Sequence, residues 1–145
     1  MTDKRKPTLG MYTKAFIIHR RRLLIIKRSN YTSRGKGEWD IPGGGLDFDE
    51  TILECLHREI MEETGLSVYA NRLLYAIMPI IPTRTNDGAV GLMYICHTDS
   101  DVVILSHEHT EYLWATKAQL MGGLLSRPVL DDYINNGVFE ALDID

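Results

Sequence analysis

The sequence predicts an α/β sandwich with a mixed β-sheet, in a single domain. Strand-rich segments come first, one amphipathic central helix follows, and further strands lead to a late helical region. The 145 residues suit one domain with a substantial core. Hydrophobic residues at 44% and charged residues at 25% are ordinary fractions for a globular protein.

The first ten residues, MTDKRKPTLG, are polar and lack the apolar core of a signal peptide. We therefore expect residues 1–10 to form a flexible tail and residues 11–145 to form the domain. Two β-rich runs follow, residues 11–19 and 23–28, joined by a basic turn at residues 19–22. This pattern predicts a β-hairpin with a solvated turn.

A polar segment separates the hairpin from the central helix. Residues 29–38 are rich in Gly, Ser and Lys, which predicts a loop. A short extended segment at residues 39–41 leads into Pro42 and three glycines, of which the second is Gly44. Glycines allow backbone conformations that side chains forbid, so we expect them to shape the loop before the helix.

The central helix is expected to begin near Asp47. The Asp47 side chain can cap it while Glu50, three residues on, reaches back to the cap. Gly65 suits the left-handed position that ends a helix. The apolar face for packing against the sheet consists of Ile52, Leu53, Leu56 and Ile60.

The later elements complete the sandwich. Strands are predicted at residues 68–81, 89–97 and 112–115, and helices at residues 117–121 and 129–135.

Composition narrows the classes of function. A formal net charge of −4 gives no support for broad binding of nucleic acid or anionic membranes, and no apolar run is long enough to cross a bilayer. Cys55 and Cys96 form neither a disulfide framework nor a C-x-x-C motif. We expect both to be buried thiols, in keeping with a reducing cytoplasm.

Three glutamates share one stripe of the central helix. Glu62 and Glu63 lie within about 60° of Glu59 around the helix axis. Like charges so placed repel one another, and a hard divalent cation with oxygen ligands would offset the repulsion. The charge pattern alone also allows a solvated acidic face.

The spacing of these residues resembles a known motif. Gly44 is followed after five residues by Glu50, and after seven more by residues 58–66, REIMEETGL. This segment resembles the Nudix box, G-x5-E-x7-R-E-U-x-E-E-x-G-U with U a bulky aliphatic residue, and all nine specified positions match. A chance match has a probability on the order of 10⁻⁷. Residues 39–44 are also similar to the family's usual approach to the box.

The resemblance implies the Nudix fold, an α/β/α sandwich with a mixed β-sheet between helices. It also implies a hydrolase that uses Mg²⁺, with Mn²⁺ as an alternative. Such an enzyme cleaves a phosphoanhydride bond in a nucleoside diphosphate linked to another group X, as in a nucleoside triphosphate, ADP-ribose or a nucleotide sugar. The expected partner is this small nucleotide, with no nucleic acid or membrane, and a homodimer is a further expectation because relatives are frequently dimers.

By this resemblance, Glu59, Glu62 and Glu63 are the metal ligands, and any one of them is a candidate to take the proton from the attacking water. Arg58 is expected to support catalysis by orienting these glutamates. Glu50 has two interpretations, a helix cap or a partner that orients Arg58, and the two roles are compatible.

The segment at residues 106–114 is the expected source of a further carboxylate, because many family members recruit one from a later loop. Glu108 is the first candidate for a base or extra ligand, and Glu111 is the second. His107 and His109 are the residue types of a transition-metal pair. Two histidines at this spacing on a loop are more typical of a surface, so we expect them to be surface residues.

Substrate recognition is less clearly encoded. Arg34 and Arg84 lie in predicted loops from which they would reach phosphates, and Trp39 is a candidate to stack on a base, with packing as its alternative role. Weaker candidates of the same kinds are Tyr31, Tyr75 and Lys36.

Two other functions compete with hydrolysis. A non-catalytic Nudix-like nucleotide-binding or sensor module would commonly lack some box carboxylates, whereas this chain keeps them. An isoprenoid diphosphate isomerase shares the fold but uses a cysteine in its own motif, to which Cys55 does not correspond.

Overall fold

The computed structural model describes residues 8–30, 37–78 and 87–145. Seven strands and four helices lie in this part of the chain. They are β1 (Thr8–His19), β2 (Arg22–Arg28), β3 (Trp39–Asp40), β4 (Gly43–Gly45), α1 (Ile52–Thr64), β5 (Tyr69–Ile77), β6 (Asp87–His97), β7 (His109–Ala115), α2 (Lys117–Gln119), α3 (Arg127–Asn135) and α4 (Val138–Leu142). A π-helical turn at Leu120–Leu124 follows α2.

The strands form one mixed sheet, as the sequence predicts. Along its main path the order is β3, β2, β1, β6 and β5, while β4 pairs with β1 and β7 pairs with β2. Strands β1 and β6 run parallel, from Thr8 beside Asp87 to Ile18 beside His97. The other pairs are antiparallel.

Both faces of the sheet are buried, which makes the fold an α/β/α sandwich. Successive strand residues point to opposite faces, and the centre of β1 is apolar on both. Phe16 and Ile18 belong to a cluster with the C-terminal helices, and Ala15 and Ile17 belong to a cluster with α1. The helical partners in these two clusters include Leu130, Tyr133 and Phe139 on one face and Leu56 and Ile60 on the other.

The predicted hairpin between β1 and β2 is confirmed. Arg20 and Arg21 occupy its turn with φ angles of 49° and 63°. Positive φ at both central residues is the conformation that twists a two-residue turn in the same sense as its strands. Arg21 also ties the C-terminus to this turn, since its Nε donates to the Asp145 carboxylate at 2.7 Å.

Helix α1 begins later than the sequence predicts. Thr51 is its N-cap: the Thr51 hydroxyl accepts the Glu54 N–H at 3.2 Å, and the Glu54 carboxylate accepts the Thr51 N–H at 2.9 Å. The expected start at Asp47 is wrong because Asp49 has a left-handed φ of 63°, which interrupts a helix. The predicted end is confirmed, with Gly65 at φ 72° and its N–H donating to the Met61 carbonyl.

Other boundaries move because long-range pairing extends the strands. Residues 8–10 were expected in the tail, yet they pair with the first residues of β6 and begin β1. Strand β7 likewise starts at His109, three residues before the predicted start, through its pairing with β2. Residues 1–7 lie outside the described part of the chain, as do the end of the predicted strand 68–81 and most of the loop after it.

Two short elements were not predicted. The glycines of β4 have low strand propensity, but they pair with β1. Helix α4 has five residues and follows Gly137, whose φ is 66°. Within the described ranges, no helix combines the length and apolar character needed to cross a membrane.

Candidate active site

A cavity of about 660 Å³ opens where α1 meets β1, β4 and the loop before β7. Lys14 and Arg28 bring positive charge to its lining. The acidic residues that line it are Glu59, Glu62, Glu63 and Glu108. The structure therefore brings the three glutamates of the helical stripe together with Glu108 from a distant loop.

The glycines of β4 allow α1 to lie close to the sheet. A Cβ at Gly44 would lie 2.4–2.6 Å from the carboxylate atoms of Glu59, and a Cβ at Gly43 would lie 2.0 Å from the Thr13 carbonyl oxygen. Both separations are far below van der Waals contact. The Gly43 N–H also donates to Glu63 Oε2 at 3.0 Å. This strand is therefore a backbone surface against which two of the glutamates are placed.

Arg58 organises the acidic cluster from one side. Its Nε and Nη2 donate to the two oxygens of Glu50 at 2.9 and 2.7 Å, a bidentate pair. Its Nη1 lies 3.0 Å from Glu59 Oε1 and 3.3 Å from Glu62 Oε2, and Nη2 also donates to the Gly45 carbonyl at 3.0 Å. Its Nη2 also lies 3.3 Å from Asp47 Oδ2, so one guanidinium restrains four carboxylates and the glycine strand.

The contacts of Glu50 distinguish its two interpretations. Glu50 pairs with Arg58, and its Oε1 accepts the Asp47 N–H at 2.8 Å, in the loop before α1 and not at the helix cap. The hydrogen bonds from Arg58 and from the Asp47 backbone hold the pKa of Glu50 at about 2. A carboxylate that is ionised at neutral pH is a stable anchor for Arg58.

The two buried glutamates behave differently from Glu50. Glu63 is only 8% exposed, and this burial raises its pKa to about 7, although the Gly43 N–H and the charge of Lys14 oppose the rise. Burial also raises the pKa of Glu59, against the hydrogen bond and charge of Arg58. The protein alone therefore compensates these two negative charges only in part.

Lys14 places a cation between two cavities. Its ammonium donates to Asp40 Oδ2 at 2.8 Å and to the Ile41 carbonyl at 3.1 Å. It lines the large cavity and also a smaller one of about 250 Å³. Sequence reasoning missed Lys14, although a single lysine inside a largely apolar strand was an available signal.

The smaller cavity joins the acidic site to helix α3. Tyr12 and Lys14 line both cavities, and Asp132 and Tyr133 of α3 line the smaller one. Tyr75 donates to Asp132 Oδ2 at 2.7 Å. The Tyr133 hydroxyl is buried and has no hydrogen-bond partner in the described part of the chain. These side chains combine apolar walls with polar groups that can select a ligand.

The histidines and glutamates at the start of β7 do not all lie where the sequence predicts. His109 was expected at the surface, and that prediction is wrong, because His109 is the first residue of β7 and is 8% exposed. Burial, together with the charges of Arg28 and Lys14, lowers the pKa of His109 to about 4. His107 lines the large cavity. Glu111 instead pairs with Lys27 at 3.2 Å and does not line the cavity.

The predicted substrate-binding residues have mixed positions. Trp39 packs against the core cluster of the C-terminal helices and lines neither of the two cavities described above. Arg34 and Arg84 lie outside the described residues, as do Tyr31 and Lys36.

Comparison with known proteins identifies the family. The NUDIX domain family matches residues 12–133, which includes the whole motif and both cavities' principal residues. The chain belongs to the Nudix family. A MutT-like protein from Streptomyces ambofaciens is 35% identical over 95 residues, covering 66% of this chain and 55% of that protein. Phosphatase NudJ of Escherichia coli strain K12 is 34% identical over 98 residues, covering 62% of each chain. The match thus spans less than two thirds of either relative.

Solved structures of Nudix proteins share the fold. The MutT protein of Methanosarcina mazei Go1 aligns with a TM-score of 0.78 and 25% identity, covering 95% of this chain and 99% of that one. A MutT Nudix hydrolase from Burkholderia pseudomallei aligns with a TM-score of 0.64 and 27% identity, covering 74% and 82%. These alignments confirm the Nudix sandwich predicted from the motif.

Proposed function

We propose that this protein is a divalent-metal-dependent hydrolase that cleaves a phosphoanhydride bond in a nucleoside diphosphate linked to another group X. The observation that carries the proposal is the arrangement of the cavity. Four glutamates converge with two cations, and Arg58 restrains the helical carboxylates by ion pairs of 3.0 and 3.3 Å. An acidic cluster held in this way suits a metal–phosphate complex better than a solvated surface.

The side chains suit a hard divalent cation. Glu59, Glu62 and Glu63 offer carboxylate oxygens, which Mg²⁺ prefers, and the open cavity leaves room for waters and phosphates. The pKa values of Glu59 and Glu63 are raised because burial disfavours their negative charge. A bound cation would offset that charge. We therefore assign these three residues as ligands of Mg²⁺ or Mn²⁺. When bound, such an ion neutralises phosphate oxygens and makes water more acidic.

The other residues act by position and charge. Phosphoryl transfer makes few covalent demands on a protein, so most of the catalysis is placement and electrostatic stabilisation. Lys14 and Arg28 line the cavity and are suited to bind phosphate oxygens. Arg58 keeps the ligands in position without facing the substrate itself. Glu108, on the cavity wall, is the candidate to accept a proton from water or to add a ligand.

A group attached to the diphosphate, either the nucleoside or the group X, would extend into the smaller cavity. That cavity adjoins the first through Tyr12 and Lys14, and its far wall carries Asp132. A carboxylate at this place favours a moiety with hydrogen-bond donors, such as the amino group of a base or the hydroxyls of a sugar. Nucleoside triphosphates, ADP-ribose and nucleotide sugars all satisfy this requirement.

A screen with product identification tests the proposed function. The purified protein would be incubated with Mg²⁺ and nucleoside triphosphates, ADP-ribose, nucleotide sugars and dinucleoside polyphosphates, and the products separated by chromatography. We expect metal-dependent cleavage between two phosphorus atoms of at least one substrate class. Tight nucleotide binding without any cleavage would contradict the proposal and favour the sensor module.

Two further expectations belong to this proposal. A cytoplasmic location agrees with the two cysteines, which are free and buried. A homodimer is a prediction that light scattering on the purified protein would test.

A further inference from the structure

The side chain of His109 is buried, and one of its two ring nitrogens lacks a hydrogen-bond partner among the described residues. The residue is 8% exposed, and the nitrogen concerned is Nδ1, which is shielded from solvent. Buried polar atoms are almost always satisfied by protein, water or a ligand. The environment of this ring therefore indicates a missing partner.

Two carboxylates face the same place. One ring nitrogen of His109, one oxygen of Glu63 and one oxygen of Glu108 all lie within 4.8 Å of one another. Glu63 is buried, and its carboxylate is already held by the Gly43 N–H at 3.0 Å. The three side chains come from the end of α1, from the loop before β7 and from the first residue of β7.

Backbone hydrogen bonds keep these segments together. The Ser29 N–H donates to the Glu108 carbonyl at 2.8 Å, and the His109 N–H donates to the Ser106 carbonyl at 3.2 Å. The Ser106 N–H in turn donates to the Glu63 carbonyl at 3.4 Å. The main chain on either side of the three side chains is thus tied to α1 and to the end of β2.

We propose that His109, Glu63 and Glu108 form a cation position with one nitrogen and two oxygen donors, which accepts a first-row transition-metal ion such as Mn²⁺. The proposal rests on the proposed function, because Glu63 also belongs to the metal-binding stripe of α1. It adds a nitrogen ligand that the all-oxygen set of Glu59, Glu62 and Glu63 lacks.

The geometry and the donor types support this assignment. Ligand atoms about 2.1 Å from a common ion lie about 3–4.2 Å apart, so atoms within 4.8 Å need only small side-chain rotations. Imidazole suits first-row transition-metal ions better than it suits Mg²⁺, which prefers oxygen donors, and Mn²⁺ is the weakest binder of that series. The position therefore discriminates between these two classes of ion.

Pulsed EPR of the full chain loaded with Mn²⁺ tests the proposal without relying on activity. We expect electron spin-echo modulation from ¹⁴N, replaced by ¹⁵N coupling when the wild-type protein carries [¹⁵N]histidine. His107→Gln is the matched control, since His107 lines the same cavity, and it should retain the coupling. His109→Gln should lose the coupling and weaken Mn²⁺ binding at least about tenfold. Its Mg²⁺ affinity should change by less than about threefold.

The possible results separate this proposal from the proposed function. Mn²⁺ binding and metal-dependent hydrolysis without histidine nitrogen coupling would overturn the nitrogen ligand and leave the hydrolase intact. Coupling that disappears in His107→Gln and persists in His109→Gln would overturn it as well. Absence of both metal binding and hydrolysis in the wild type would overturn the proposed function and this proposal together. If His109→Gln fails to fold by circular dichroism, the labelled wild type and His107→Gln decide.

Discussion

Gly44→Ala is expected to damage catalysis without unfolding the protein. The new methyl group would lie 2.4–2.6 Å from the carboxylate atoms of Glu59. The carboxylate must retreat by about 1 Å to restore ordinary contact, which begins near 3.4 Å. Because the clash is with the end of a flexible side chain, rotation of Glu59 can relieve it. We therefore expect a loss of less than about 1 kcal/mol in the free energy of unfolding.

The same displacement removes a proposed metal ligand from its place. A misplacement of about 1 Å costs on the order of 100-fold in rate, and it also strains the contact of 3.0 Å between Glu59 and Arg58. Gly45→Ala is the matched control, since a Cβ at Gly45 meets no atom within 4 Å. The assay compares metal-dependent kcat/KM and urea unfolding for both variants. Equal activity of Gly44→Ala and Gly45→Ala would refute the reasoning.

Three further predictions concern the charges of the site. Arg58→Lys removes the bidentate pair with Glu50, so Mn²⁺ affinity measured by calorimetry should fall about 10–100-fold, and an unchanged affinity would contradict the orienting role. The pKa of Glu63 is about 7 in the folded protein, against an ordinary 4.5. Between these two pH values the folded state binds more protons than the unfolded state, so the contribution of Glu63 to stability falls as the pH rises from about 4.5 to about 7. Glu63→Gln has no such loss. The difference in free energy of unfolding, variant minus wild type, should therefore rise by about 1–3 kcal/mol from about pH 5 to about pH 8 in EDTA. A difference that does not change with pH would contradict the burial argument. Mg²⁺ at about 100 times its Kd adds about 2.7 kcal/mol to the free energy of unfolding, so the Tm of the wild type should rise by about 5–10 °C. An equal rise in Glu62→Gln would contradict the assignment of Glu62 as a ligand.

The acidic stripe was predictable because its geometry is local. Glu59, Glu62 and Glu63 share a face through helical periodicity alone, and the family motif adds the partnership of Arg58 with Glu50. The structure agrees on both placements. Their roles as ligands stay predictions until metal binding is measured.

Residues whose positions depend on long-range strand pairing were harder to predict from the sequence. His109 is buried because β7 pairs with β2 from its first residue, opposite Arg28, and nothing in the local sequence specifies that register. The same pairing carries Glu108 to the cavity and leaves Glu111 beside Lys27. Asp132 reaches the smaller cavity only through the docking of α3.

The misplaced helix start has a different cause. Asp47 and Glu50 satisfy the sequence pattern of a capping box, and so do Thr51 and Glu54. Glu50 does accept the Asp47 N–H at 2.8 Å, but Asp49 has a left-handed φ of 63°, so the helix starts after it and the second pair forms the cap. The choice between two adjacent caps depended on the backbone conformation of one residue, which the capping-box pattern does not specify.

Hydrolysis by Glu62→Gln tests the central claim most directly. Glu62 lines the cavity on α1, and Glu111→Gln is the matched control because that carboxylate lies outside the cavity. Metal stabilisation of the transition state is worth several kcal/mol, so Glu62→Gln should lose at least about 100-fold in Mg²⁺-dependent kcat/KM while Glu111→Gln retains wild-type activity. Full Mg²⁺-dependent turnover by a folded Glu62→Gln protein would contradict the assignment of the acidic stripe as the metal site.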